Sequence, residues 1–157
     1  MKYFIIAAVD KNYGIGKNND LLFHFKKDLA YFKSLTLNHK VVMGYNTFKS
    51  LKKPLKDREN IIISRDLVDG FKNFKSKEEL LNYYKDEEDE IFIIGGEKIY
   101  HDFIDIADRI YLTEIDSTKE ADRFFTKFNK ENYIKEVVGN DAENDISFKY
   151  VIYKKKK

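Results

Sequence analysis

The chain has 157 residues, of which 43% are hydrophobic, and its formal net charge is +2. These values predict one globular domain over residues 1–157 with a core of its own, and the small charge gives no indication of nucleic-acid binding. Cysteine is absent, which excludes disulfides and thiolate metal sites and leads us to expect a reducing, cytoplasmic location. The few histidines are scattered without a metal-ligand spacing, so no metal site is predicted.

Short apolar runs predict a sheet whose strands alternate with helices. The first run is followed at once by Asp10 and Lys11, so we interpret it as a buried strand rather than a signal peptide; no later segment is long enough to cross a bilayer. The strands are predicted, in chain order, at residues 3–9, 41–43, 60–63, 90–94 and 109–115. The helices are predicted at residues 26–36, 46–51, 77–85 and 97–104. This alternation is typical of an α/β domain with a largely parallel sheet.

The end of the chain follows a different pattern. Residues 132–138 and 146–154 are both of β type, with no helical pattern between them. Residues 139–145, GNDAEND, are typical of a turn-rich loop. We therefore expect an antiparallel hairpin at the sheet edge, which makes the sheet mixed.

The first predicted helix places an acid on its apolar side. Phe25, Leu29, Phe32 and Leu35 recur at helical spacing, and Asp28 falls on the same stripe. An inward carboxylate needs a local partner or a ligand. Burial without a nearby cation raises the pKa of such a group, which is commoner at functional sites than at structural ones. The alternative is an acid in the first turn that the helix dipole stabilises.

Two strand-to-helix junctions could hold a ligand. Gly95 and Gly96 would let the backbone approach an anion at the helix start, although a tight turn explains the pair equally well and no GxGxxG fingerprint is present. Gly44 ends another strand, and Asn46 or Thr47 could cap the helix that follows. Thr47 could also donate a hydrogen bond to a phosphate.

Other polar residues lie where a ligand could reach them. Ser64 and Arg65 follow a strand, where open α/β sheets bind ligands, but an arginine alone is more often a surface charge. Arg58 lies in a turn-like stretch and either pairs with a surface acid or clamps a ligand carboxylate. The loop at residues 12–20 is either a mobile cover over a site or an ordinary connection.

Three motifs and their mutual spacing carry a family resemblance: VVMGYNTFKSL at 41–51, PLKDRENIIIS at 54–64 and IIGGEKIY at 93–100. In this order they resemble the bacterial dihydrofolate reductase family. The resemblance implies a three-layer fold with a mixed, mostly parallel sheet, a C-terminal antiparallel hairpin and about four helices. It also implies a monomer that transfers hydride from NADPH to C6 of the pterin of dihydrofolate, with protonation at N5, in one-carbon metabolism. Dihydrofolate and antifolate-type small molecules are the ligands implied, with no nucleic acid and no membrane as partner.

The resemblance implies a role for each matching position in the folate pocket. Asp28 would bind N3 and the 2-amino group of the pterin, Thr113 would hold the acid and a water, and Arg58 would clamp the glutamate carboxylate. Leu21 and Phe23, in the loop over the pterin, join Asp28 and Thr113 as the catalytic set. The proton for N5 would arrive through water or from Asp28. The other implied pocket positions are Ile6, Ala7, Leu29, Phe32, Ser50, Leu51, Leu55, Ile94 and Tyr100.

NADPH is the implied cofactor. Ala8 and Ile15 would contact the nicotinamide carboxamide, and Ser64 and Arg65 would read the 2′-phosphate. The other implied cofactor positions are Gly16, Asn19, Leu21, Gly44, Tyr45, Asn46, Thr47, Ile94, Gly95, Gly96, Glu97, Lys98, Ile99 and Tyr100.

The chain also departs from the family's pattern. Leu22–Phe23 stands where the family usually has Pro-Trp, so an indole N–H that would organise water over the pterin is missing. Tyr45 stands where the family often has arginine, which places more of the NADPH preference on Arg65. Arg123 and Thr126 depart from the pattern in what is expected to be a distal loop.

Two other functions fit parts of the pattern. A reductase of the same fold that acts on another heterocycle, of the riboflavin-pathway type, would lack Asp28 and Arg58 in these roles. A non-catalytic nucleotide- or nucleic-acid-binding domain would use the strand ends and the lysine tail at 154–157. It predicts salt-dependent polyanion binding without turnover, and the balanced charge argues against it.

Overall fold

A large sheet with helices on both faces forms the protein, and the computed structural model describes all residues from 1 to 157. The strands are β1 (Lys2–Val9), β2 (Gly14–Lys17), β3 (Asp20–Leu21), β4 (Lys40–Gly44), β5 (Glu59–Ile63), β6 (Lys72–Phe74), β7 (Glu90–Gly95), β8 (Ala107–Ile115), β9 (Arg123–Phe124), β10 (Tyr133–Glu143) and β11 (Ile146–Lys155). The helices are α1 (Lys26–Thr36), α2 (Tyr45–Ser50), α3 (Lys77–Tyr83) and α4 (Glu97–Phe103), with short 3-10 helices at Ile104–Ile106 and Lys130–Asn132.

The main sheet has eight strands in the order β10-β11-β8-β1-β7-β4-β5-β6. Every neighbouring pair from β8 to β6 is parallel, whereas β11 is antiparallel to both β8 and β10. Strands β3, β2 and β9 form a separate antiparallel sheet. The prediction of a mixed, mostly parallel sheet with a C-terminal hairpin at its edge is confirmed.

Continuous apolar runs form the central strands because both faces of the sheet are covered. Successive side chains point to opposite faces, so Phe4 joins one apolar cluster and Ile5 the other. Helix α1 contributes Phe32 to the first cluster, and α3 and α4 contribute Leu80 and Phe103 to the second. The result is the three-layer arrangement that the resemblance implied. None of the helices combines the length and the apolar sequence that crossing a bilayer requires.

The structure confirms the four predicted helices with small shifts of their ends, but the predicted loop at 139–145 is wrong. Strand β10 continues to Glu143, and only Asn144 and Asp145 turn the chain, with φ angles of 53° and 64°. Both residue types tolerate this left-handed conformation, which suits a two-residue hairpin turn. The sequence also gave no prediction of β2, β3, β6 or β9, because strands of two to four residues are too short to show a period.

Candidate active site

A single cleft of about 1410 Å³ runs along the carboxyl ends of the central parallel strands. Strands β1, β4 and β7 supply Ala7, Gly44 and Ile94 to its lining, and Ser64 follows β5. Every residue predicted for catalysis, substrate binding or cofactor binding lines this cleft. Pockets for one small ligand commonly measure roughly 300–1,000 Å³, so this cleft has room for two ligands side by side.

Asp28 lies in the first turn of α1 and faces the cleft. Its Oδ1 accepts a hydrogen bond of 2.6 Å from Oγ1 of Thr113, a buried residue on β8. Asp28 forms no salt bridge, and Oδ2 has no hydrogen-bond partner in the protein. Burial raises the pKa of Asp28, and the hydrogen bond from Thr113 opposes that rise. The first-turn position adds some dipole stabilisation, yet one carboxylate oxygen stays available to a ligand.

The start of α1 is held by the distant hairpin rather than by a local cap. The N-cap residue, Phe25, provides no capping side chain. Instead, the carboxylate of Glu143 accepts hydrogen bonds from the backbone N–H groups of Lys26 and Lys27, at 2.9 and 3.1 Å. These bonds satisfy helix donors that would otherwise lack partners, and they fix the turn that carries Asp28.

Arg58 is fixed in place without an acidic partner. Its Nη1 donates to Oγ1 of Thr36 at 3.1 Å, and its Nε donates to the carbonyl of Lys56 at 2.9 Å. The side chain of Asn60 bonds to both backbone groups of Leu55 and shapes the turn that presents Arg58. Partial burial lowers the pKa of Arg58 from its usual value. The guanidinium has more donors than these contacts use, so it can also bind a carboxylate in the cleft.

The junction of β7 and α4 brings backbone to the wall of the cleft. Gly95 has a φ of 126°, which favours glycine, and a Cβ there would lie 3.3 Å from Oη of Tyr100. A cis peptide bond joins Gly95 to Gly96. Oη of Tyr100 lies 2.8 Å from the carbonyl oxygens of both Ile6 and Ile94, which share its proton. Burial raises the pKa of Tyr100, so this hydroxyl stays a donor that ties β1 to β7.

The junction of β4 and α2 differs from the prediction. Gly44 is the N-cap residue and the helix begins at Tyr45, so Asn46 and Thr47 lie inside the first turn and neither caps the helix. A Cβ built on Gly96 would lie 3.2 Å from Oγ1 of Thr47. The two glycine junctions therefore face each other closely, and both present backbone to the cleft.

Two cations lie together at the far end of the cleft. The N–H of Ser64 donates to the carbonyl of Phe74 at 2.9 Å, which places the end of β5 beside the end of β6. Arg65 and Lys75 follow these two strands, and both are exposed and line the cleft. Neither forms a salt bridge. Lys75 was not predicted, because β6 itself was not.

The loop at 12–20 belongs to the small sheet that covers one side of the cleft. Its strand β2 pairs with β9, and the N–H of Asp122 donates to the carbonyl of Gly16 at 3.0 Å. Arg123 and Thr126 were expected in a distal loop, and that expectation is wrong, since both line the cleft. The pairing of β9 with β2 brings the segment that carries Arg123 and Thr126 to the cleft. No local sequence pattern could have predicted this long-range pairing.

Several lining residues were missed by sequence reasoning. Tyr31 packs against Tyr150 with the two rings tilted and their centroids 4.1 Å apart. Burial is the main cause that raises the pKa of Tyr31 to about 12. It follows Asp28 by three positions, a spacing on one helix face that could have found it. The other missed lining residues are Lys17, Asp20, Leu22, His24, Lys33, Ile63, Lys75, His101, Ile115, Phe124 and Phe125.

Comparison with known proteins gives consistent matches. A family model described as "Dihydrofolate reductase" matches residues 2–155. A dihydrofolate reductase of Bacillus subtilis (strain 168) is 37% identical over 96% of this chain and 93% of its own length. One of Haemophilus influenzae is 37% identical over 85% of this chain and 84% of its own length. A solved structure of dihydrofolate reductase from Enterococcus faecalis, complexed with NADP(H) and RAB-propyl, is similar with a TM-score of 0.87 and 28% identity, covering 99% of this chain and 97% of that one.

Proposed function

This chain belongs to the dihydrofolate reductase family, and from that premise we propose how its cleft performs the family's reaction. The reaction is the NADPH-dependent reduction of 7,8-dihydrofolate to 5,6,7,8-tetrahydrofolate. One observation supports the assignment of roles above all others. A single cleft contains an oriented carboxylate, Asp28, and a fixed guanidinium, Arg58, and neither has an ionic partner in the protein.

The residues of the cofactor half fit NADPH. Gly95 and Gly96 lack the Cβ atoms that would press on Tyr100 and Thr47, so a ligand can approach the backbone there. Arg65 and Lys75 are unpaired cations at the end of the cleft, where they would hold the 2′-phosphate. When bound, NADPH supplies the hydride that C6 of the pterin receives.

Asp28 binds and orients the pterin in this proposal. Its ionised carboxylate accepts hydrogen bonds from N3–H and the 2-amino group, of the charge-assisted kind that fixes a planar ring. The bond from Thr113 to Oδ1 sets the orientation of the carboxylate. The negative charge raises the basicity of the ring, and water delivers the proton to N5. Orientation and electrostatics are thus the protein's contribution, because the hydride chemistry belongs to the cofactor.

Leu21 and Phe23 cover the pterin, and Arg58 holds the other end of the substrate. Both residues line the same cleft as Asp28, where they would exclude bulk water from the reacting atoms. The free donors of Arg58 would bind the glutamate carboxylate of folates and of inhibitors built on the same plan. We also propose that the protein is a monomer, and light scattering on the eluted protein tests this.

One assay tests the proposed function. Purified protein is mixed with NADPH and dihydrofolate, and loss of the cofactor's absorbance is followed; absence of turnover rejects the proposal. Asp28→Asn is expected to lower turnover by about a hundredfold or more while the fold survives, because an amide cannot supply the charge. Thr113→Ser keeps the hydroxyl that binds Asp28 and is the matched control. Wild-type turnover in Asp28→Asn would refute the role given to the acid.

A further inference from the structure

Leu22 and Phe23 form a segment of the cleft wall that we call the cover. A side chain that is distant in sequence holds this segment. Nζ of Lys119 donates a hydrogen bond of 2.9 Å to the carbonyl of Leu22. The same ammonium lies 4.5 Å from the ring centroid of Phe23, within the range of a cation–π interaction. Lys119 itself does not line the cleft. Leu22 and Phe23 line the cleft, so Lys119 contacts them from outside it.

The backbone of Lys119 is fixed at the end of β1. Its N–H donates to Oδ2 of Asp10 at 3.1 Å, and Oδ1 of Asp10 accepts the N–H groups of Asn12 and Gly14 at 2.8 Å each. Asp10 is only 2% exposed, so this junction is a rigid point in the fold. The ammonium therefore reaches the cover from a fixed base.

The other contacts of the same segment are mainly apolar. Among residues 22–25, only the carbonyl of Leu22 has a hydrogen bond to a distant part of the chain. Phe23 stacks on Phe25 at 5.2 Å, and Phe25 stacks on Phe148 at 5.0 Å. The ammonium of Lys119 lies over Phe23 at the end of this column of rings. Ring stacking, the buried side chain of Leu22 and the strand pairing of the preceding Leu21 also hold the cover. Lys119 supplies its one hydrogen bond to a residue distant in sequence.

We propose that Lys119 is a positioning residue, which holds Leu22–Phe23 over the reacting end of the cleft. Lys119 touches neither substrate nor cofactor and acts through the cover alone. The inference rests on the proposed function, in which this cover shields the reacting atoms. A loosened cover admits water and relaxes the alignment of the reactants. Loss of Lys119 therefore slows hydride transfer more than it weakens the binding of either ligand.

Lys119→Met removes the charge and keeps most of the stem. Its single-turnover rate of hydride transfer is expected to fall by about tenfold, with the dissociation constants of NADPH and folate changed by less than about twofold. Lys119→Arg keeps a cation that can donate and stack, and it should recover most of the rate. Lys11→Met is the control. Nζ of Lys11 pairs with Asp116 at 2.9 Å, in the segment that precedes Lys119, and not with the cover. The rate of hydride transfer in Lys11→Met should match that of the wild type.

A second readout does not need turnover. Chymotrypsin cleaves after leucine and phenylalanine residues that local opening exposes. Because Leu22 is buried, cleavage after Leu22 or Phe23 in the ligand-free protein reports opening of the cover, and it should be faster in Lys119→Met than in Lys11→Met. If the wild type shows no turnover, the proposed function is rejected. The cleavage rates still test whether Lys119 holds Leu22–Phe23. A wild-type rate of hydride transfer in Lys119→Met overturns the inference, whatever the cleavage result. Equal losses of rate, ligand affinity and thermal stability also overturn it, because they indicate a general structural role.

Discussion

Arg58→Leu is expected to weaken the binding of dihydrofolate far more than it weakens the fold. The guanidinium makes two contacts within the protein, to Thr36 and to the carbonyl of Lys56, and it has no acidic partner. Its remaining donors are free for a carboxylate. Hydrogen bonds to a charged group contribute about 1.5–3 kcal/mol, so the dissociation constant should rise by about 13- to 160-fold.

The fold should tolerate this change. Oγ1 of Thr36 also donates to the carbonyl of Phe32 at 2.8 Å, so removal of the guanidinium leaves no buried donor without a partner. A change of less than about 1 kcal/mol in the free energy of unfolding is therefore expected. Arg58→Lys should give an intermediate affinity, because an ammonium keeps the charge but loses the planar pair of donors.

The assay compares two ligands by fluorescence titration: dihydrofolate, and a pterin that lacks the glutamate. Arg58→Leu should weaken the first and leave the second unchanged. Lys56→Leu is the control, since it removes a neighbouring positive charge on an exposed residue whose side chain has no ionic partner. Equal losses for the two ligands, or an equal loss in Lys56→Leu, would show that Arg58 does not bind the carboxylate.

Four further substitutions test other parts of the site. Burial raises the pKa of Asp28 above 3.8, its ordinary value, so the folded state holds this proton more tightly and the free energy of unfolding falls as pH rises from 3.8 through the folded pKa. Asp28→Asn should therefore raise the urea midpoint of the ligand-free protein at neutral pH but not below pH 3.8, and an unchanged neutral midpoint would contradict the cost of the buried charge. Arg65→Ala and Lys75→Met should each lower the ratio of kcat/KM for NADPH to kcat/KM for NADH by about tenfold, because each removes one charge-assisted contact. An unaltered ratio would show that these residues do not bind the 2′-phosphate. Glu143→Gln should lower the free energy of unfolding by about 0.5–1 kcal/mol through a weakened cap on α1, with the exposed Glu88→Gln as control, and equal urea midpoints for the two would refute the cap.

The sequence predicted the main elements because their patterns are local. The apolar run of β1 and the stripe of α1 each specify an element within a dozen residues, and the structure has both where they were expected. The failures were elements that depend on distant partners. Strand β9 has two residues and exists because it pairs with β2. The polar stretch at 139–143 has the composition of a loop. It is nevertheless part of β10, because β11 supplies its hydrogen bonds.

The candidate site divides in the same way. The periodicity of α1 predicted that Asp28 faces inward. The family resemblance of the motifs implied a role for each cleft position, and those roles stay predictions. Only the tertiary structure showed that Thr113 donates to Asp28 and that Lys119 holds Leu22, contacts that span 85 and 97 residues of chain. A hydrogen bond of this kind leaves no periodic trace in the sequence, since it depends on how whole elements pack. Residue order thus determined which groups are available, and packing decided which of them meet.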